Sequence, residues 1–229
     1  MAKVNTPLQS SYCDDDYNEI GIDEAGRGPM LGRVYAAAVV LPKGEEFKHC
    51  DMKDSKRFHS DKKIHCASQY IKDNAVAWAI GYSTEEEIDK YNIRVATHMA
   101  MHKAIKEVIY KLKIDHSNTH LLVDGNDFTS YIIYDNECLL LARTTTIEQG
   151  DNKITSIAAA SILAKVARDD YIADLCKMEP DLDIKYGLIK NKGYGTKQHL
   201  AGITEYGISK YHRTTFGICR NYTQKIELE

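Results

Sequence analysis

The chain has 229 residues, 43% hydrophobic and 28% charged, with a net charge of −3, enough for one well-packed domain. No run of about 18 apolar residues occurs, which excludes a membrane-spanning helix. Six cysteines (Cys13, Cys50, Cys66, Cys138, Cys176, Cys219) form no C-x-x-C pair, so reduced thiols in an intracellular, cytoplasmic protein are expected rather than a disulfide framework.

Residues 1–17, "MAKVNTPLQSSYCDDDY", fit neither a signal peptide nor an Arg-rich transit peptide and are expected to be a disordered acidic lead-in. Residues 20–23 predict a short strand. Residues 34–41, "VYAAAVVL", are apolar throughout, as in a strand buried on both faces. Val76, Trp78, Ile80 and Tyr82 alternate with Ala77, Ala79 and Gly81, which predicts a third strand. Between the last two, Ser60 is a plausible N-cap for a helix with a stripe of Ile64, Ala67, Ile71 and Ala75. Thr84 to Glu87 reads as a capping box for a short helix. A longer helix follows, with Ile93, Ala96, Ala100, Ala104, Val108 and Leu112 three or four residues apart. "HLLVDGN" predicts a fourth strand, "RTTTIEQGD" a fifth, and the alanine-rich stretch after Asp151 a helix able to approach its neighbours closely. This order predicts one α/β domain on a mixed sheet, with residues 18–180 as its core and residues 181–229 as a basic C-terminal cap.

Charge is unevenly spread. From Lys185 to Glu229, eight basic residues (Lys185, Lys190, Lys192, Lys197, Lys210, Arg213, Arg220, Lys225) face three acidic ones (Glu205, Glu227, Glu229), a net +5. A second cluster comprises Lys53, Lys56, Arg57, Lys62 and Lys63. Such asymmetry suits a polyanion held beside an acidic centre; a solvated charged surface is the competing reading.

Four acids share one situation, the end of a strand or the turn after it: Asp23 and Glu24 in "GIDEAG", Asp124 in "LLVDGN" and Asp151 in "IEQGDNK". Ligands of open α/β sheets gather at strand ends. Singly, Asp124 could belong to a plain turn and Asp151 could cap the next helix, but the fold would bring all four to one edge. Two carboxylates about 4 Å apart repel by about 4 kcal/mol at an effective dielectric near 20, so a cluster of four calls for cations. Hard oxygen donors without neighbouring Cys or His select Mg²⁺ or Mn²⁺ over Zn²⁺. Adjacent side chains on a strand point to opposite faces, so Asp23 and Glu24 are expected to converge only if their strand ends there. Gly26 and Gly28 would supply that ending and let backbone approach a ligand, with Arg27 in reach of a phosphate or sugar edge.

Three rival readings are set aside. A dinucleotide fingerprint fails because Leu31 occupies the third glycine position of G-x-G-x-x-G and Pro29 leads into a strand. His98 and His102 have the spacing of a zinc helix but no H-E-x-x-H frame, and are expected to be exposed. Asp169-Asp170, mid-helix, is expected on a solvated face or in ion pairs.

"GIDEAGRGP", "DSK" (Asp54-Ser55-Lys56), "VDGN", "GD" followed by "AASILAKVARD", and "NKGYGTKQHL…YG…HRTTFG" occur in this order over roughly residues 18–217. The chain thereby resembles ribonuclease HII, the type 2 ribonuclease H. The resemblance implies an RNase H-like fold, a mixed five-stranded sheet flanked by helices with a helical C-terminal extension. It also implies two Mg²⁺ or Mn²⁺ ions that hydrolyse the RNA strand of an RNA–DNA duplex, or cut 5′ to a ribonucleotide in duplex DNA, leaving a 5′-phosphate and a 3′-hydroxyl. Asp23, Glu24, Asp124 and Asp151 match the catalytic carboxylates, with Asp23 bridging both metals. Gly26, Arg27 and Gly28 match the loop that reads the ribonucleotide, and Tyr194 matches the tyrosine at the RNA–DNA junction. Lys56 fits a phosphate contact, and Lys165 and Arg168 are further substrate-binding candidates. A monomer is expected, with accessory subunits left open.

The match has departures. Arg33 stands where many relatives have proline, and residues 131–142 are long and apolar for the segment after the third carboxylate, suggesting an extended strand or an extra contact surface. The "GRG" loop and the lack of an N-terminal substrate-binding domain argue against the type HIII branch. Another nuclease of the fold, resolvase-like, would not need the Gly-Arg-Gly loop and Tyr194 together. A non-catalytic nucleic-acid-binding module would be expected to have lost a carboxylate.

Overall fold

The computed structural model describes residues 7–13, 17–44, 46–49, 52–58, 60–113, 118–135 and 138–223. Five strands form one sheet in the order β3-β2-β1-β4-β7, from β1 (Asn18–Ala25), β2 (Val34–Val40), β3 (Ala77–Ser83), β4 (Thr119–Asp124) and β7 (Arg143–Ile147). The first three pair antiparallel, whereas β4 runs parallel to both β1 and β7. A separate hairpin, β5 (Ile132–Asp135) with β6 (Cys138–Leu141), accounts for the long apolar segment. It leaves Leu139 and Leu141 exposed.

The uniformly apolar β2 is sandwiched between helices. Its Ala36, Ala38 and Val40 pack with Ala100, Met101, Ala104 and Ile105 of α2 (Glu85–Leu112). On the opposite face, Ala37 and Val39 pack with Ile64 and Ile71 of α1 (Asp61–Asn74) and Ala158 to Ala160 of α3 (Thr155–Met178). Period-2 alternation in the strand thus splits the core into two layers. The alanines of α3 allow close approach: a Cβ on Gly21 of β1 would lie 2.2 Å from the Ser156 carbonyl carbon.

The expected pair of helices at 84–112 is present: α2 is broken at Asn92, whose backbone is non-helical (φ 67°, ψ 163°). Thr84 and Glu87 close the capping box, and Asn92 restarts the helix by accepting from the Val95 N–H at 3.1 Å. Short helices α4 (Asp181–Tyr186), α5 (Leu188–Asn191) and α6 (Lys197–Tyr206) follow, and α7 (Arg220–Thr223) closes the described chain. Leu182, Tyr186, Leu188 and Ile203 pack onto Ile172, Leu175 and Cys176 of α3, together with Met30 and Leu31 from the loop after β1.

Two expectations need correction. Part of the lead-in is held to the core: Gln9 bridges Ile154, and Glu19 accepts from the Tyr12 and Cys13 N–H groups. Its residues 1–6 and 14–16 lie outside the described residues, as do Cys50 and the charges Lys225, Glu227 and Glu229. His98 is buried, not exposed. Segment 127–131 folds over α2, so His98 Nδ1 meets Thr129 Oγ1 at 2.8 Å and His102 Nε2 meets the Thr129 carbonyl at 2.8 Å. Among the described residues, no helix is long and apolar enough to cross a membrane, and Cys13, Cys66, Cys176 and Cys219 are free thiols.

Candidate active site

The β1–β4 ladder stops at Ile22 opposite Val123, while the β1–β2 ladder continues through Asp23, Glu24 and Ala25. The strand therefore does not end at its two acids, as expected from the sequence. The opening comes instead from β4 ending at Asp124, one step past the last pair, which sets Asp124 beside Asp23. Asp151 sits in a single 3₁₀ turn, Gly150–Asn152, between β7 and α3. It does not cap the helix, whose N-cap is Ile154.

Asp23, Glu24 and Asp124 line one cavity of about 420 Å³ with Gly26, Arg27, Gly28, Lys56, Lys165, Arg168 and Tyr194. Asp151 borders it through Lys56, whose Nζ is 4.0 Å from Asp151 Oδ2. Each acid leans on a local donor. Asp23 accepts from the Glu24 N–H at 2.7 Å and from the Ser161 hydroxyl. Asp124 accepts from the Gly150 N–H at 2.7 Å, Asp151 from the Asn152 side chain at 2.9 Å, and Glu24 from Arg27 at 3.4 Å. Among the described residues no three potential ligands form a ready-made metal cluster.

These donors do not neutralise the site. Burial first, then repulsion from Glu24 and Asp124, pushes Asp23 well above the usual carboxylate range. Burial also raises Glu24, against the pull of Arg27. Asp151 is pushed up to about 6 by burial, then by Asp54 and Asp124, with Lys56 opposing. Lys56 responds in kind: burial works against its charge, but Asp54, Asp151, Asp23 and Asp124 together raise its pKa.

The walls come from three distant segments. Asp54 caps the 3₁₀ turn Ser55–Arg57 by accepting from the Lys56 N–H at 2.9 Å. Ser55 and Ser161 join hydroxyls at 2.9 Å and dock that turn on α3. Gly26 has φ +94°, and a Cβ there would lie 2.5 Å from Arg168 Nε, so glycine is required by both conformation and space. A Cβ on Gly28 would touch the Tyr194 ring at 3.4 Å. The turn carrying Tyr194 is tied to the loop after β1 by the Met30 N–H donating to the Gly193 carbonyl at 2.8 Å.

A family model for Ribonuclease HII matches residues 20–219. Ribonuclease HII of Parabacteroides distasonis is 45% identical over 205 residues, covering 90% of this chain and 92% of that protein. The chain belongs to the ribonuclease HII family. Its fold is RNase H-like: the ribonuclease H2 of Pyrococcus horikoshii superposes with a TM-score of 0.68 at 20% identity, over 92% of this chain and 99% of that one. Bst-RNase HIII, solved in complex with Mn²⁺, gives 0.67 at 16% identity over 93% of this chain and 71% of that one.

The candidate residues of this family member differ in freedom. Tyr194 and the Arg27 side chain are about half exposed, and Lys56 is largely so. Lys165 is engaged by Asp169 at 2.6 Å, which places that aspartate in an ion pair as expected; Asp170 meets His65 at 2.9 Å. Arg168 is buried, donates to the Lys192 carbonyl at 2.6 Å and stands 5.9 Å from the Tyr194 ring centre. Arg33, the departure from the family pattern, lies between two rings, 4.5 Å from the Tyr82 centre and 4.7 Å from that of Tyr171. Sequence reasoning missed Asp54, Ser55, Ser161 and the buried Arg213. The serines stand inside quoted blocks, but hydroxyls on a helix and a short turn carry no periodic signal of a shared site.

Proposed function

We propose that the protein hydrolyses the RNA strand of RNA–DNA hybrids and also cuts 5′ to a single ribonucleotide in duplex DNA, leaving a 5′-phosphate and a 3′-hydroxyl. One observation carries this reading: Asp23, Glu24 and Asp124 share a cavity with the Gly26-Arg27-Gly28 loop and Tyr194. Acids alone would fit many nucleases; acids facing a close-approach backbone loop and a flat ring fit one that inspects a sugar.

The donor set fits divalent metal. Asp23, Glu24, Asp124 and Asp151 offer only oxygen, and the upward-shifted pKa values of Asp23, Glu24 and Asp151 mark negative charge lacking a sufficient offset. These four would hold two Mg²⁺ or Mn²⁺ ions. When bound, such ions lower the pKa of an attacking water and stabilise the leaving 3′ oxygen.

The remaining residues bind and orient. Lys56, exposed beside the acids, meets a phosphate. The Gly26–Gly28 backbone approaches the 2′-hydroxyl, the group that distinguishes RNA from DNA at a given site. Tyr194 packs on the neighbouring deoxyribose. Lys165 and Arg168 act at shorter range, Lys165 held by Asp169 and Arg168 supporting the Tyr194 turn.

Three duplexes test the reading: one with a single ribonucleotide, one uniform RNA–DNA hybrid and one all-DNA, each in EDTA, Mg²⁺ or Mn²⁺. The first two should be cut only with metal, and the third left intact. Asp23→Asn or Asp124→Asn should each cost on the order of 10²-fold or more in rate, the scale of losing a key electrostatic stabiliser. Cutting of the all-DNA duplex would instead make this a DNA nuclease of the same fold.

A further inference from the structure

Arg213 is fully buried, and its guanidinium is spent on a single object, the loop after β1. Nε donates to the Gly32 carbonyl at 2.8 Å, Nη1 to those of Arg27 at 2.9 Å and Pro29 at 2.8 Å, and Nη2 to that of Gly26 at 2.6 Å. Its own N–H donates to the Met30 carbonyl at 2.9 Å. Four convergent carbonyls around one planar fork are a demanding arrangement, since only arginine presents five N–H groups in fixed directions.

The surroundings hold Arg213 itself in place. On one side His212 accepts from the Ser209 N–H at 2.9 Å and meets His199 Nε2 at 3.0 Å, while His199 Nδ1 reaches the Tyr194 carbonyl at 3.0 Å. On the other side Asp89 of α2 accepts from Thr214 and Thr215 through both backbone and hydroxyl, at 2.6 to 3.0 Å. Burial first, and repulsion from Arg168 next, draws Arg213 down to about 9, which still leaves it charged at neutral pH. Burying a charge this deeply is costly, and folding alone could have filled the space with an apolar side chain.

The consequence follows from peptide geometry. In a planar trans peptide the C=O and the next N–H point in opposite directions. Drawing the Gly26 and Arg27 carbonyls onto the guanidinium therefore turns the Arg27 and Gly28 N–H groups away from it. Arg27 and Gly28 are exposed and line the cavity of the acids.

We infer that Arg213 is a positioning residue for sugar recognition: by gathering the loop's carbonyls from beneath, it aims the Arg27 and Gly28 N–H groups at the ribose. This rests on the reading that the loop meets the ribonucleotide, and it adds the device that orients the loop. The buried charge also lies behind those N–H groups, where it favours an electron-rich oxygen in front of them.

The test uses the full chain and two duplexes differing by one 2′-hydroxyl, with Ca²⁺ present to support binding without turnover. Wild type should prefer the ribonucleotide duplex, and amide hydrogen exchange at Arg27 and Gly28 should slow more with it than with the all-DNA duplex. Arg213→Lys keeps the charge but offers one nitrogen, which cannot serve four carbonyls. It should keep its all-DNA affinity within about twofold while its ribose preference falls about tenfold or more, and Arg213→Met should do the same. A Lys variant with wild-type preference would overturn the inference. So would a parallel loss of both affinities, which is the mark of a merely structural arginine. If neither variant folds, the wild-type exchange decides: equal protection by both duplexes, with ribose preference intact, overturns it. Absence of any ribose preference in wild type would sink the underlying reading instead.

Discussion

Asp151 shows how strongly a residue's behaviour here depends on its neighbours. Its ordinary pKa of 3.8 becomes about 6 through burial, Asp54 and Asp124. For an acid raised in the folded state, the folded form holds its proton more tightly. The associated stability is full below about pH 4 and lost as pH rises through about 6. The metal-free protein should therefore weaken between those values, this one group contributing on the order of 2–3 kcal/mol. Thermal melts in EDTA at pH 5 and 7 should show the loss, and Asp151→Asn should flatten it. An unchanged slope in that variant would remove Asp151 from the cause. Mn²⁺ should reverse the trend, because bound metal stabilises by mass action and needs the carboxylates deprotonated.

At the level of elements, the proposed recognition face is built from two loops that meet without a regular ladder. Gly26 is locked by φ +94° and by Arg168, whereas Tyr194 is half exposed. The two should respond differently to mutation. Gly26→Ala forces strain worth about 1–3 kcal/mol and should lower both the melting temperature and cleavage of every substrate. Tyr194→Ala should melt within a degree or two of wild type and lose most single-ribonucleotide cleavage, with uniform hybrid less affected. Equal rates on both substrates at wild-type levels would make Tyr194 structural.

Over the whole molecule, the basic C-terminal segment is less of an electrostatic surface than its composition suggests. Arg213 is buried, Lys185 pairs with Asp181 at 3.4 Å and Lys210 with Glu179 at 2.9 Å. In the earlier cluster Lys56, Arg57, Lys62 and Lys63 are exposed, and Lys56 borders the cavity. Substrate affinity should fall steeply with salt, and Lys56→Ala should shallow the log–log slope by about one. Fluorescence anisotropy across a KCl series measures this. A slope unaltered in Lys56→Ala would mean that Lys56 touches no phosphate.

Local pattern was enough for the elements. An apolar run, an alternating strand and a capping box each report on a few consecutive residues, and β2, β3 and the Thr84 cap follow from them directly. The four acids were legible too, because carboxylates beside strand ends are anomalous for folding alone, and motif order added the loop and the tyrosine. Other features exist only once distant segments meet. The opening beside Asp23 depends on where β4 stops pairing, not on where β1 ends. His98 is covered by a segment some 30 residues away in sequence. Arg213 counted as one more surface charge until the fold carried it across 181 to 187 positions to the carbonyls of Gly32, Pro29, Arg27 and Gly26. Sequence fixes which groups are present and their local geometry; burial and long-range hydrogen bonding, which decide what a charge does, are properties of the packed chain.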